Sequence, residues 1–136
     1  MVEATQTKIR RVAVLGASGR MGSEAVKAIT DAPDFELVAA LGREDSLEKL
    51  VETNAEIMVD LTVPSATETN VRFAVEHGVH AVVGTTGWTE ERVESLRELL
   101  DEHPQVGVLI APNFALGSIL ATEFAAMAAP YFESVE

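Results

Sequence analysis

The stretch Arg10-Arg-Val-Ala-Val-Leu-Gly16-Ala-Ser-Gly19-Arg-Met-Gly22 constrains this chain more than any other part. Arg11–Leu15 carries Val12, Val14 and Leu15, which suit a strand, and it breaks off at a glycine. After Gly22 the pattern becomes helical, with Met21, Ala25, Val26 and Ile29 at spacings of three and four. The expectation is a strand feeding a glycine turn that opens directly into a helix. The first amides of a helix have no partners within it and lie at the positive end of its dipole. Glycines let a pyrophosphate approach those amides, and the last one lets helix and strand pack closely. Gly16, Gly19 and Gly22 stand at G-x-x-G-x-x-G, a variant of the dinucleotide-binding fingerprint, with strand before and helix after. The competing account is an ordinary connecting turn. A triphosphate loop is excluded, because Gly-Lys followed by Ser or Thr does not occur.

The rest of the chain alternates strand and helix. Phe35–Leu41 reads as a second strand, and Ser46 as the cap of a short helix through Glu52. Ile57–Leu61 is a third strand, and Ser65-x-x-Glu68 fits a capping box opening a helix to His77. Gly78 supplies a left-handed stop before a fourth strand, Val79–Val83. Thr89–Glu102 is amphipathic, with Val93, Leu96, Leu99 and Leu100 inward. Val106–Ile110 is a fifth strand, Gly117–Ala129 a further helix, and Tyr131–Glu136 the start of a sixth strand. Continuous apolar strands between helices imply a parallel sheet covered on both faces. The expected fold is α/β, a doubly wound, Rossmann-like parallel sheet with strand 1 central.

In such sheets ligands bind beyond the carboxyl ends of the strands. Every unusual polar cluster here falls at one: Gly16–Gly22, Gly42-Arg43, Asp60-Leu-Thr-Val-Pro64, Gly84-Thr-Thr-Gly87 and Ala111-Pro-Asn-Phe114. Five such loops on one rim make a binding face. The end of strand 2 distinguishes nicotinamide cofactors, an acid accepting from the ribose 2′-hydroxyl and an arginine accommodating a 2′-phosphate. Gly42 removes the acid from that place and Arg43 offers a positive charge beside it. Both NADH and NADPH stay open, with a lean toward NADPH. Arg20 is within reach of a phosphate. Thr85 and Thr86 offer hydroxyls and amides toward a nicotinamide ribose, and Asn113 suits either a carboxamide or a helix cap. Asp60 reads as an acceptor that organises its loop rather than as a catalyst.

No catalytic residue emerges. His77 and His80 flank Gly78 on the opposite rim, and His103 sits in a helix-to-strand loop. With no cysteine there is no disulfide framework, thiolate nucleophile or cysteine metal site, and no metal ligand set is expected. A net charge of −12, from 22 acids against 10 bases, opposes nucleic-acid binding. The acids concentrate on the Thr89–Glu102 helix, where a solvated face accounts for them. No apolar run reaches the length of a membrane span, so a cytoplasmic protein is the simplest expectation.

Together these loops resemble the 4-hydroxy-tetrahydrodipicolinate (dihydrodipicolinate) reductase family of lysine and diaminopimelate biosynthesis. Val14-Leu-Gly-Ala-Ser-Gly-Arg-Met-Gly22 is similar to the family's opening fingerprint. Asp60-Leu-Thr-Val-Pro64 resembles its Asp-Phe-Thr-x-Pro segment, with Leu61 for Phe, and Val83-Gly-Thr-Thr-Gly-Trp88 resembles its Gly-Thr-Thr-Gly-Phe loop. Ala111-Pro-Asn-Phe-Ala-Leu-Gly117 resembles its Ala-x-Asn-Phe turn. The motifs run in family order and spacing from about Arg10 to Glu136. The resemblance implies that Gly16, Ala17, Ser18, Gly19, Arg20, Met21 and Gly22 contact a nicotinamide dinucleotide. It implies the same of Thr62, Gly84, Thr85, Thr86, Ala111, Pro112, Asn113 and Phe114, with Arg43 near the adenosine ribose.

The family's activity is hydride transfer from nicotinamide to a cyclic unsaturated dicarboxylate. Its proton donor lies in a His-His-x-x-x-Lys segment that this sequence does not contain. The expected organisation is a polar leader at 1–9, a dinucleotide-binding domain at 10–130, and at 131–136 the start of a second, α+β domain. That second domain would bind substrate and form a homotetramer. The alternative is a non-catalytic dinucleotide-binding module. A semialdehyde dehydrogenase, with a similar nucleotide-binding half, would need a cysteine.

Overall fold

A computed structural model describes residues 8–111. Within them lie β1 (Arg10–Leu15), α1 (Arg20–Asp31), β2 (Phe35–Leu41), α2 (Glu48–Glu52) and β3 (Ile57–Asp60). There follow α3 (Pro64–Glu76), β4 (His80–Val83), α4 (Glu90–Asp101) and β5 (Val108–Ile110). The expected helix at Gly117–Ala129 and strand at Tyr131–Glu136 lie outside the described residues, as do Pro112, Asn113 and Phe114.

The strands form one sheet in the order β2-β1-β3-β4-β5, and every pair is parallel. Side chains alternate between two cores, as the two-residue period of a strand requires. Ala13, Leu15, Met58, Ala81 and Val83 face the core built with Leu50 of α2, Val71, Ala74 and Val75 of α3, and Leu96 and Leu99 of α4. Val12, Val14, Ile57, Val59 and Val82 face the other, with Ala25 and Ile29 of α1. Helices thus cover both faces, and the sheet is doubly wound. β1 is interior but not central: β3 holds the middle, because the chain returns from β2 past β1 before building outward. The winding reverses between β1 and β3, where a crevice opens beyond the strand ends.

Several element ends differ from expectation for local reasons. α1 begins at Arg20 rather than after Gly22, with Gly19 at the cap and Gly22 inside the first turn. No capping box forms at α3. Pro64 takes the first helical position, where its missing N–H costs nothing, and Val63 precedes it without a side-chain cap. Glu68 instead pairs with Arg92 of α4 at 3.2 Å. Ser46 is not the cap of α2 either: Leu47 holds that place without a side-chain cap, and the Ser46 hydroxyl one residue earlier accepts from the Glu48 amide at 3.1 Å. Gly78 closes α3 with φ +77°. In β2 the register shifts between Val12 and Ala13, so Val38 is passed over and the strand bulges against β1. Glu90, Glu91, Glu94, Glu98, Asp101 and Glu102 are all exposed, the solvated face that their pattern implies.

Candidate functional site

The ends of the strands are stitched to one another. The Gly16 and Ala17 amides donate to the Leu41 carbonyl at 3.0 and 3.1 Å, and the Leu61 amide to Leu15 at 3.1 Å. The Gly84 amide donates to Asp60 at 3.0 Å and the Ala111 amide to Val83 at 2.8 Å. Each loop therefore leaves its strand already fixed to its neighbour, so four of the expected clusters and Ala111 of the fifth share one rim.

The glycine turn is built by close approach. Gly16 has φ +79°, and a Cβ there would stand 2.2 Å from the Leu61 carbonyl oxygen. A Cβ on Gly22 would fall 1.7 Å from the Gly16 oxygen, so only glycine lets the first turn of α1 lie on the loop. Gly19 is different. Its nearest neighbour to an added Cβ is the Gly16 oxygen at 3.4 Å, and it is exposed with Ser18 and Arg20. Its open side faces outward, where an anion would approach the free amides of Arg20, Met21 and Gly22 at the head of α1.

Asp60 is fully buried at the end of β3. One carboxylate oxygen accepts from the Thr62 amide at 3.1 Å and its hydroxyl at 2.6 Å, and the other from the Thr67 hydroxyl at 2.5 Å. Satisfied on both oxygens, it organises the loop, as its position suggested. Thr85 is buried as well. Its hydroxyl accepts from the Thr62 amide at 2.9 Å and donates to the Asp60 carbonyl at 3.1 Å. That hydroxyl is thus engaged within the rim, and of the two threonines only Thr86 is exposed. Arg92 fastens the same corner from α4, donating to the carbonyls of Pro64 at 2.9 Å and Gly87 at 3.2 Å.

A cavity of about 410 Å³ opens at the reversal point between β1 and β3. Of the residues expected at a ligand, it brings together Gly16, Ser18, Gly19, Arg43 and Thr62. Ala17, Arg20, Met21 and Gly22 belong to the turn behind it, while Gly84, Thr85, Thr86 and Ala111 continue the rim beyond it. Sequence reading overlooked Asp45, Val63, Ala66 and Asn70, which also line it. Asp45 left no clear signal, since turns favour aspartate first and glycine last, the reverse of the order here, and Asn70 lies on α3, where its amide donates to the Thr62 hydroxyl at 3.3 Å.

The histidines stand apart from this cavity. His77 bonds the Phe73 carbonyl within α3, and His103 that of Leu99. His80, at the start of β4, accepts at Nδ1 from the Gly107 amide at 3.0 Å. Burial, and then the Arg10 charge, lower its pKa, with Glu56 opposing. Among the described residues no cluster of His, Cys, Asp or Glu is arranged to hold a metal, and no helix is long and apolar enough to cross a membrane.

A doubly wound sheet with a glycine turn and a cavity at its reversal point defines the class: an α/β domain of the dinucleotide-binding type. Within that class the chain belongs to the family described as dihydrodipicolinate reductase, N-terminus, whose model matches residues 10–114. It is 59% identical over 126 residues to 4-hydroxy-tetrahydrodipicolinate reductase of Streptomyces avermitilis, covering 93% of this chain and 50% of that protein. Against the enzyme of the same name from Streptomyces coelicolor the identity is 60%, with the same coverage. Among solved structures, dipicolinate-bound dihydrodipicolinate reductase from Paenisporosarcina sp. TG-14 superimposes with a TM-score of 0.72 at 32% identity, covering 91% of this chain and 55% of that one. The chain thus spans about half the length of the relatives it matches.

Proposed function

We propose that this chain is the NAD(P)H-binding half of a 4-hydroxy-tetrahydrodipicolinate reductase. The observation that carries this reading is the cavity at the reversal point, walled on one side by the glycine turn and on the other by the loop after β2. The cradle fits the cofactor in shape: glycine is required at Gly16 and Gly22 to form it, and Gly19 leaves the approach to the α1 amides clear. Gly16, Ala17, Ser18, Gly19, Arg20, Met21 and Gly22 would hold the pyrophosphate, with Arg43 and Thr62 bordering the adenosine end. Gly84, Thr85, Thr86 and Ala111, with Pro112, Asn113 and Phe114 beyond the described residues, would meet the nicotinamide end. Thr85 acts there through its backbone and its loop.

When bound, the nicotinamide supplies the hydride; this half of the protein binds and orients it. The substrate, a cyclic unsaturated dicarboxylate, would be received by the longer protein, for which the homotetramer implied by the resemblance is also proposed. A cytoplasmic location agrees with a biosynthetic role. Titration of the chain with NADH and NADPH, followed by nicotinamide fluorescence or calorimetry, tests the reading. Saturable 1:1 binding of at least one is expected, and a folded chain that binds neither would overturn it.

A further inference from the structure

The end of β2 is where this class of sheet distinguishes one adenosine ribose from another. Gly42 stands there, and its backbone does not explain it. Its φ lies outside the left-handed region that Gly16, Gly78 and Gly87 occupy. An added Cβ would meet only the Asp45 Oδ2 atom, at an ordinary 3.7 Å. What the glycine leaves is space, and Asp45 turns back into it. The Gly42 amide donates to Asp45 Oδ2 at 2.7 Å, and the Asp45 amide donates to the Gly42 carbonyl at 3.2 Å. A carboxylate is thereby returned to the end of β2, in the lining of the cavity that holds Gly16, Gly19 and Arg43.

We propose that Asp45 is the residue that decides between the two nicotinamide cofactors, as acceptor for an unmodified ribose and as the repulsive element against a 2′-phosphate. The inference rests on the dinucleotide reading above. A 2′-phosphate needs donors, and the Gly42 amide at the end of β2 is already held in a charge-assisted bond by an anion. To admit the phosphate Asp45 must give up that bond or tolerate a second anion beside it. Arg43 and Asp45 are both exposed, so solvent screens attraction and repulsion alike, and the amide already committed to Asp45 decides the sign. A carboxylate fixed by a backbone amide keeps its remaining lone pairs for a ribose hydroxyl. Specificity here comes from a penalty on one ligand as much as from attraction to the other. The sign is opposite to the one that Gly42 and Arg43 suggest when read without the turn.

The experiment titrates NADH and NADPH into the wild-type chain and into Asp45→Asn and Asp45→Ala, with adenosine 2′,5′-bisphosphate as a displacing probe. The wild type should favour NADH. Asp45→Asn, which keeps shape and removes charge, should move the affinity ratio toward NADPH by about tenfold and tighten the bisphosphate, the change a lost charged contact typically brings. Asp45→Ala should move it the same way. A ratio unchanged in both variants, or a wild type that prefers NADPH, overturns the proposal and leaves the dinucleotide reading standing. A wild-type chain, folded by circular dichroism, that binds neither cofactor overturns both.

Discussion

At the scale of single residues, the glycine turn separates two roles that the spacing alone merges. Gly22→Ala places a methyl group against the Gly16 carbonyl, a backbone atom that cannot step aside, whereas Gly19→Ala meets nothing closer than 3.4 Å. Gly22→Ala should therefore lose about 2–3 kcal/mol of stability, typical of overpacking, and bind no cofactor. Gly19→Ala should keep its stability to within about 1 kcal/mol, the scale of a cap change, yet bind at least tenfold more weakly. Thermal melts paired with NADH titration check both; equal destabilisation by the two would refute the division. Asp60 yields a second expectation. Asp60→Ala strands the buried Thr67 hydroxyl and takes the acceptor from the half-buried Thr62 amide and hydroxyl, and should cost about 2–4 kcal/mol in chemical denaturation. Asp60→Asn should cost less, since its amide oxygen still accepts from Thr62. The role of Asp60 was legible because a lone carboxylate at a strand end has neighbouring amides to satisfy. The engagement of Thr85 was not, because its partners Thr62 and Asp60 lie 23 and 25 positions away and only sheet order brings them together. Asp45 was hidden by a turn.

Among the elements, the seam between β4 and the segment before β5 depends on His80 being neutral, since its Nδ1 accepts from the Gly107 amide. The folded state lowers its pKa from 6.5, through burial first and Arg10 second. Below 6.5 the unfolded chain therefore takes up a proton that the folded chain resists, and stability falls with falling pH between the unfolded and folded values. Above that window the contribution is complete. Denaturation from pH 7.5 down to 5.5 should show this loss, and His80→Asn, which keeps an acceptor near Nδ1 without titrating, should flatten that part of the curve. A profile identical in the two proteins would show that His80 does not set it. Element order and type were open to sequence reading because short continuous apolar runs alternate with apolar spacings of three to four. The ends were less open. Helix α3 starts on Pro64 instead of the Ser65 box, because a missing N–H is best spent at the first position, and α1 starts early because Gly19 can cap without a side chain.

For the molecule as a whole, binding and turnover should separate. The described residues place His77, His80 and His103 away from the cavity. The resemblance puts the proton donor in a histidine-lysine segment that this sequence lacks. A positioned proton donor typically contributes about 10² to 10⁴ in rate, and substrate alignment more. The chain should therefore oxidise neither NADH nor NADPH with the family's cyclic dicarboxylate faster than buffer, while a chain extended to the relatives' full length turns over. Assay of both at equal concentration decides it, and substantial turnover by the shorter one would place catalytic groups on this half. The sheet order also has a consequence in time. The glycine turn leaves the ribosome before β2 and β3, but its amides close on Leu41, and Leu15 receives the Leu61 amide, only when those strands have arrived on either side. At about 5–20 residues per second, the stretch from Gly22 to Leu61 takes a few seconds to emerge. During those seconds the nascent chain carries the whole fingerprint and no pocket, so a cofactor can neither speed nor rescue the first steps of its folding. The glycine turn, made before the strands on either side of it, is the part of the site that those strands finish.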